Sequence, residues 1–232
     1  MIKLISFKIC PFVQRVTAAL EVKKIPFEVE YINLKDKPQW FLDLAPNGQV
    51  PVMVTEAGTA LFESDAIIEY IRDEYGPLED KVSNEQRAQD RAWSYLGSKH
   101  YLVQCGTMSS KDRETFIKRS EKLVAAFAKV EAQLSGKTQF FKSDELSNVD
   151  IAWVPLLHRA AIVKKYTDYD FLCGLPKAQA WQKNVLGSLA IENTVSEDFE
   201  PLFKNFYLTN TYLGDGQDVP LGDTCGSSAC CG

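Results

Sequence analysis

Residues 2–20 read IKLISFKICPFVQRVTAAL, and a change of period within them decides the fold. Residues 2–6 form a short, mostly apolar run of the kind that makes a buried strand. From Pro11 onward Val13, Val16 and Leu20 recur at helical spacing. Proline stands where a helix tolerates it best, in the first turn, because its missing N–H would have had no partner there. The stretch therefore predicts a strand that runs into a helix through a Cys-Pro pair.

Working outward, FEVEYINL (27–34) alternates Phe27, Val29 and Tyr31 against Glu28 and Glu30 as a strand does. KPQWFLDLAP (37–46) reads as a short helix stopped by Pro46, and VPVMVT (50–55) and TALFE (59–63) as two strands around the turn EAGT. SDAIIEYIRDEYG (64–76) closes the series as a helix with Ile67, Ile68 and Ile71 inward and Gly76 as its stop. The predicted order is βαβαββα, a thioredoxin-like α/β domain over residues 1–77. Strand signals end at the polar stretch GPLEDKVSN (76–84), so a linker is placed at 78–84 and an all-α domain at 85–208.

Within that second domain one helix is predicted over 85–108. Another covers 112–134, with Phe116, Ser120, Leu123, Phe127, Val130 and Leu134 on one stripe. A third begins at LSNVDI (146–151), where Ser147 and Asp150 have capping-box spacing and Leu146 and Ile151 the spacing of a hydrophobic staple. Pro155 inside it predicts a kink. Further helices are expected from Pro176 and over SEDFEPLFKNFYL (196–208). Residues 209–232, rich in Gly, Asp, Thr and Ser and ending CGSSACCG, read as a flexible tail.

The 232 residues are 45% hydrophobic and 25% charged, enough for two domains with cores of their own. Net charge is −5 with no dense lysine or arginine block, which argues against nucleic-acid binding and requires any anionic ligand to be held by local positive potential. The six cysteines lack the density of a secreted disulfide framework, so reduced thiols are expected. His100 and His158 lie far apart in helical sequence and read as packing or surface residues; no metal site is expected. The apolar run at the N-terminus is short and interrupted by Lys3 and Lys8, unlike a signal peptide, and no stretch is long enough to insert stably in a membrane. A cytoplasmic protein is the expectation.

Cys10 falls at the predicted N-cap of the first helix. There the N–H groups of Phe12 and Val13 point at its sulfur and favour the thiolate, which predicts a thiol pKa drawn toward or below neutrality. Val13 occupies the position that would complete a Cys-x-x-Cys, so a local disulfide is excluded and a mixed disulfide with a small thiol is the natural intermediate. By itself Cys10 also reads as a small apolar residue in a turn, Glu63-Ser64 as an ordinary helix start, Lys37 as a solvated lysine and Pro51 as a strand-edge proline.

Taken together and in order, CPFVQR (10–15), INLKDKPQWF (32–41), NGQVPVM (47–53) and FESDAIIEYI (62–71) are similar to the cytosolic glutathione transferases of the omega class, and the likeness continues through SNVDIAWVPLLHR (147–159). That resemblance implies Cys10 as the catalytic residue, exchanging disulfides with glutathione, the co-substrate. It implies Phe12 beside the thiol, Lys37 on the glycyl carboxylate, and a cis Val50–Pro51 segment whose backbone pairs with the cysteinyl part. Glu63 and Ser64 are implied at the γ-glutamyl end. It implies thiol transfer and dehydroascorbate reduction, weak conjugation of aryl halides, and a homodimer. The second substrate, a small electrophile, disulfide or dehydroascorbate-like molecule, is expected between the domains, with Trp93, Ser94, Tyr95 and Tyr101 as candidate walls. Cys225, Cys230 and Cys231 depart from the family pattern and are candidates for a secondary redox relay. The alternative reading is a non-enzymatic module on the same fold, similar to chloride intracellular channels or to partner-binding relatives.

Overall fold

The computed structural model describes residues 1–79 and 82–215. Four strands, β1 (Ile2–Ser6), β2 (Phe27–Tyr31), β3 (Val52–Val54) and β4 (Ala60–Phe62), form one sheet in the order β2-β1-β3-β4. β1 pairs with β2 in parallel, Ile2 opposite Phe27, and with β3 antiparallel, Ile5 opposite Val52; β3 and β4 are antiparallel. The parallel pair needs a crossover, which α1 (Pro11–Val22) supplies.

Period 2 in the strands sorts the core into two layers. Ile2, Leu4 and Met53 pack with Val16 and Leu20 of α1 and with Ile67 and Ile71 of α3 (Ser64–Tyr75). Ile5 and Val52 face the other way, onto Phe41 of α2 (Gln39–Leu44). The N-terminal domain is thus the thioredoxin-like βαβαββα unit that the periodicity predicts.

The second domain is helical: α4 (Asn84–Lys99), α5 (Tyr101–Met108), α6 (Arg113–Gln133), α7 (Asn148–Thr167), α8 (Pro176–Gly187) and α9 (Phe199–Tyr207). Its centre is aromatic, with Trp153 of α7 5.9 Å from both the Phe127 and Trp181 rings. The α7 start is organised by Asp150, fully buried, whose carboxylate accepts from Ser147 N and Oγ, Phe141 N and Trp181 Nε1. α1 packs against α7, so the reactive end of the first domain abuts the core of the second.

Two expectations need correction. The helix predicted over 85–108 is two helices, because His100 N–H turns to Gly97 O (2.9 Å) while its ring Nδ1 meets Leu96 O (2.6 Å), the carbonyl that a continuing helix would have bonded through the backbone. α7 continues through Pro155, the position at which the sequence predicts a kink. A 3₁₀ turn at Ile191–Thr194, which no periodicity marked, packs on α1. The flexible tail does not begin at Thr209: Tyr212 and Leu213 are buried, with Tyr212 N bonded to Ser110 O (2.8 Å) and its ring against Phe116. Two large apolar side chains outweigh the polar composition around them. Cys225, Cys230 and Cys231 lie outside the described residues.

Candidate active site

The turn between β1 and α1 closes with Cys10 N bonded to Phe7 O (2.9 Å), and Cys10 O then accepts the first helical bond from Gln14 N (3.2 Å). Cys10 is therefore the N-cap, with extended backbone (φ −72°, ψ 121°) and Pro11 in the first turn. The N–H groups of Phe12 and Val13 lie toward its sulfur and favour its anion, without the short contacts of an oxygen cap. Burial nevertheless pushes the Cys10 thiol up to about 11, against the pull of Val13, Phe12 and the Arg159 guanidinium. The expectation of a lowered thiol pKa is corrected for the ligand-free chain. It counted the helix terminus, which is visible in sequence, and missed the enclosure, which is not.

Much of that enclosure comes from the second domain. Arg159 of α7 is fully buried and donates from Nη2 to Ile9 O (3.0 Å) and from Nη1 to Pro155 O (3.1 Å) and Gln14 Oε1. Its Nε has no partner, and among the described residues no carboxylate pairs with it. Tyr101 of α5, also fully buried, donates to Ala152 O and sets its ring edge-on to Phe12, centroids 5.1 Å apart. On the outer side Phe206 of α9 meets Phe7 edge-on (6.4 Å).

Beside this turn, one cleft is lined by Phe12, Asn47, Gln49, Val50, Pro51, Glu63 and Ser64. The Val50–Pro51 bond is cis. Glu63 is held at φ +68°, a region costly for a residue with a Cβ, and its Oε1 accepts from Asn47 Nδ2 (2.8 Å). Ser64 opens α3, where free N–H groups favour an anion. Arg15 of α1, almost wholly buried, pairs with Asp65 and ties the two helix starts together. Lys37 lies outside the cleft lining; its Nζ donates to Gly48 O (2.7 Å) in the loop that leads to Gln49 and Val50.

The fold brings Phe12, Val50, Pro51, Glu63 and Ser64 around one cleft, with Cys10 two residues from Phe12 and Lys37 at the neighbouring loop. Of the candidate second-substrate walls, Ser94 and Tyr95 line a cavity between α3 and α4 together with Arg15 and Arg91, Trp93 sits on Phe141, and the Tyr101 ring reaches Phe12 beside the Cys10 turn. Asn47, Gln49, Arg159 and the aromatic pair Phe206 and Tyr207 were not singled out. A signal for Arg159 existed, since it is a lone charge within the apolar run VPLLHRAAIV (154–163). Among the described residues no group of three or more His, Cys, Asp or Glu is arranged to hold a metal ion, and no helix is long and apolar enough to cross a membrane.

Comparison with known proteins is consistent with this geometry. The N-terminal domain of glutathione S-transferases matches at residues 9–74 and the C-terminal domain at 118–182. Glutathione S-transferase DHAR2 of Arabidopsis thaliana is 30% identical over 80% of this chain and 83% of its own. The chain belongs to the glutathione S-transferase family. Glutathione S-transferase omega-1 of Rattus norvegicus is likewise 30% identical, over 78% of this chain and 74% of its own. Among solved structures, glutathione transferase Omega 3C from Trametes versicolor superimposes with a TM-score of 0.71 at 25% identity, covering 84% of this chain and 89% of its own. The relatives of this transferase are thus omega-class enzymes and DHAR proteins, and glutathione is the family's co-substrate.

Proposed function

We propose that this glutathione transferase moves glutathionyl groups and reduces dehydroascorbate through a mixed disulfide between Cys10 and glutathione. The observation that carries the reading is a cysteine, in place of a hydroxyl residue, at the α1 N-cap beside a cleft of glutathione-like polarity. Glu63 is a carboxylate for the ligand's ammonium, and the Ser64 hydroxyl with the α3 N–H groups suits its α-carboxylate. The Val50 backbone serves the cysteinyl unit, and Lys37 the glycyl carboxylate once it swings from Gly48 O.

In thiol transfer Cys10 attacks the glutathionyl sulfur of a mixed disulfide. The Cys10–SG bond forms, the substrate sulfur leaves with the electron pair, and the Cys10 proton is released as charge develops beneath the Phe12 and Val13 N–H groups. A second glutathione attacks Cys10–SG, forming glutathione disulfide and restoring the thiol. With dehydroascorbate, Cys10 adds to a carbonyl; glutathione attacks the cysteine sulfur and expels ascorbate, and a second glutathione clears the adduct. Conjugation of aryl halides is weak, because a cysteine here bonds to glutathione sulfur and does not merely polarise it.

In this reading residues 1–77 supply glutathione, 85–208 the wall for the second substrate and 78–84 the connection, in a cytoplasmic homodimer. The test is intact mass spectrometry after exposure to glutathione disulfide, wild type beside Cys10→Ser, with thioltransferase turnover on the same samples. One glutathione mapped to Cys10 and lost turnover in the variant are expected. Retained turnover in Cys10→Ser overturns the reading.

A further inference from the structure

We propose that Gln14 is a positioning residue for the reaction at Cys10, its buried side chain bridging the two domains and fixing the backbone from which the sulfur projects. The role rests on the Cys10 mixed disulfide proposed above and adds the device that aims the thiol.

Gln14 lies one turn after Cys10 on α1 and is 2% exposed. With Cys10, Thr17 and Thr194 it lines a small cavity that shares no residue with the cleft assigned to glutathione. The two carbonyls on either side of the Cys10 α-carbon are both held from Gln14. Its backbone N–H donates to Cys10 O (3.2 Å), and its Oε1 accepts from Arg159 Nη1, while Nη2 of the same guanidinium donates to Ile9 O (3.0 Å). Peptide units are planar, so fixing these two fixes the direction in which the Cys10 side chain leaves the backbone.

The amide can point only one way. Arginine donates and never accepts, so the Gln14 oxygen faces Arg159 and its NH₂ faces away. The two N–H groups meet His158 Nδ1 (2.8 Å) and Thr194 Oγ1 (3.2 Å), and the Thr194 hydroxyl donates onward to Ile191 O (2.7 Å). His158 therefore accepts at Nδ1 and carries its proton on Nε2. The aim of Cys10 is thus set by side chains of α7 and of the 3₁₀ turn, gathered on one amide of α1.

Thiol exchange makes that aim matter. The Cys10 sulfur must first align with the glutathionyl disulfide and later present its own mixed disulfide to the incoming thiol. A displacement of about 1 Å from a productive geometry costs about a hundredfold in rate. Because Gln14 is no part of the glutathione cleft, its loss should fall on the reaction at Cys10 and leave glutathione binding unchanged.

The test uses full-length wild type, Gln14→Leu, Gln14→Asn and Gln14→Glu. Peptide mass spectrometry follows two rates at Cys10, glutathionylation by glutathione disulfide and alkylation by iodoacetamide. The cleft aims the first reagent and not the second, so a change in thiol ionisation moves both rates and a misdirected sulfur moves only the first. Gln14→Leu is expected to lower the ratio of the two rates by about tenfold or more. Gln14→Asn, whose amide falls one carbon short of Arg159, should lower it severalfold and stands in if the leucine variant does not fold. Both should bind S-methylglutathione with wild-type affinity in calorimetry. Gln14→Glu keeps an acceptor for Arg159, with His158 donating from Nδ1 in its other tautomer, and should hold the ratio within about threefold of wild type. A wild-type ratio in Gln14→Leu or Gln14→Asn, or a loss in Gln14→Glu as large as theirs, overturns the positioning role and leaves the Cys10 mixed disulfide standing. A wild type that takes iodoacetamide but no glutathione at Cys10 overturns the mixed disulfide itself.

Discussion

Replacing Asp150 tests whether a single buried carboxylate organises the helical domain. Its Oδ1 accepts Phe141 N (2.9 Å) and Trp181 Nε1 (2.6 Å), and its Oδ2 accepts Ser147 N (2.8 Å) and Ser147 Oγ (2.6 Å). In Asp150→Ala the Ser147 hydroxyl can turn elsewhere, but three N–H donors cannot. At about 1–3 kcal/mol for each buried donor left unpaired, with some relaxation, the expected loss is about 3–5 kcal/mol. Asp150→Asn is milder for a definable reason. An amide that keeps its oxygen on Phe141 and Trp181 directs its NH₂ at Ser147, whose hydroxyl can accept while its N–H cannot. One donor is stranded, costing about 1–3 kcal/mol. Urea unfolding followed by tryptophan fluorescence reads this directly, because Trp181 is itself a ligand of the carboxylate. With a slope of about 2–3 kcal/mol per molar, the alanine midpoint should fall by about 1–2 M and the asparagine midpoint by less. Both variants within about 0.5 kcal/mol of wild type, or asparagine worse than alanine, would refute the bond-by-bond reasoning.

Two further outcomes are expected. His158 accepts from Gln14 Nε2 at Nδ1 (2.8 Å) and stacks on Phe199, and burial followed by the Arg159 charge lowers its pKa from 6.5 to about 3. The unfolded chain therefore takes the proton first as pH falls, so stability is lost from pH 6.5 downward. Between pH 7 and 5 wild type should lose about 2 kcal/mol more than His158→Asn in paired urea titrations, and parallel losses would contradict this. Glu63→Gln keeps the Asn47 contact but not the charge for an ammonium; KM for glutathione should rise by about tenfold or more at nearly constant kcat, and an unchanged KM would remove Glu63 from the binding set.

The thioredoxin-like half was legible because its signals are local. Alternation in FEVEY, the Cys-Pro break and the Gly76 stop each fix an element without help from elsewhere. The α7 start was legible for the same reason, Ser147 and Asp150 being three residues apart. What sequence withheld depends on distance along the chain. The split at His100 turns on a side chain taking a carbonyl, the burial of Tyr212 on a docking face made by Ser110 and Phe116, and the raised Cys10 pKa on burial in the folded chain. Phe12, Val50, Pro51, Glu63 and Ser64 could be named from motif order, whereas Arg159 and Phe206 reach the Cys10 turn only through tertiary packing.

The hydrogen bond from Arg159 to Ile9 O joins residues 150 positions apart. On the ribosome, at about 5–20 residues per second, Cys10 is synthesised about 8–30 s before that guanidinium. Until then the β1–α1 turn lacks its cover, and the cysteine is an ordinary accessible thiol on an incomplete chain. Prematurely terminated products that stop before α7 carry the same uncovered cysteine. The finished environment of Cys10 is therefore a property of the completed polypeptide, and fragments of the first domain should show thiol chemistry unlike that of the enzyme.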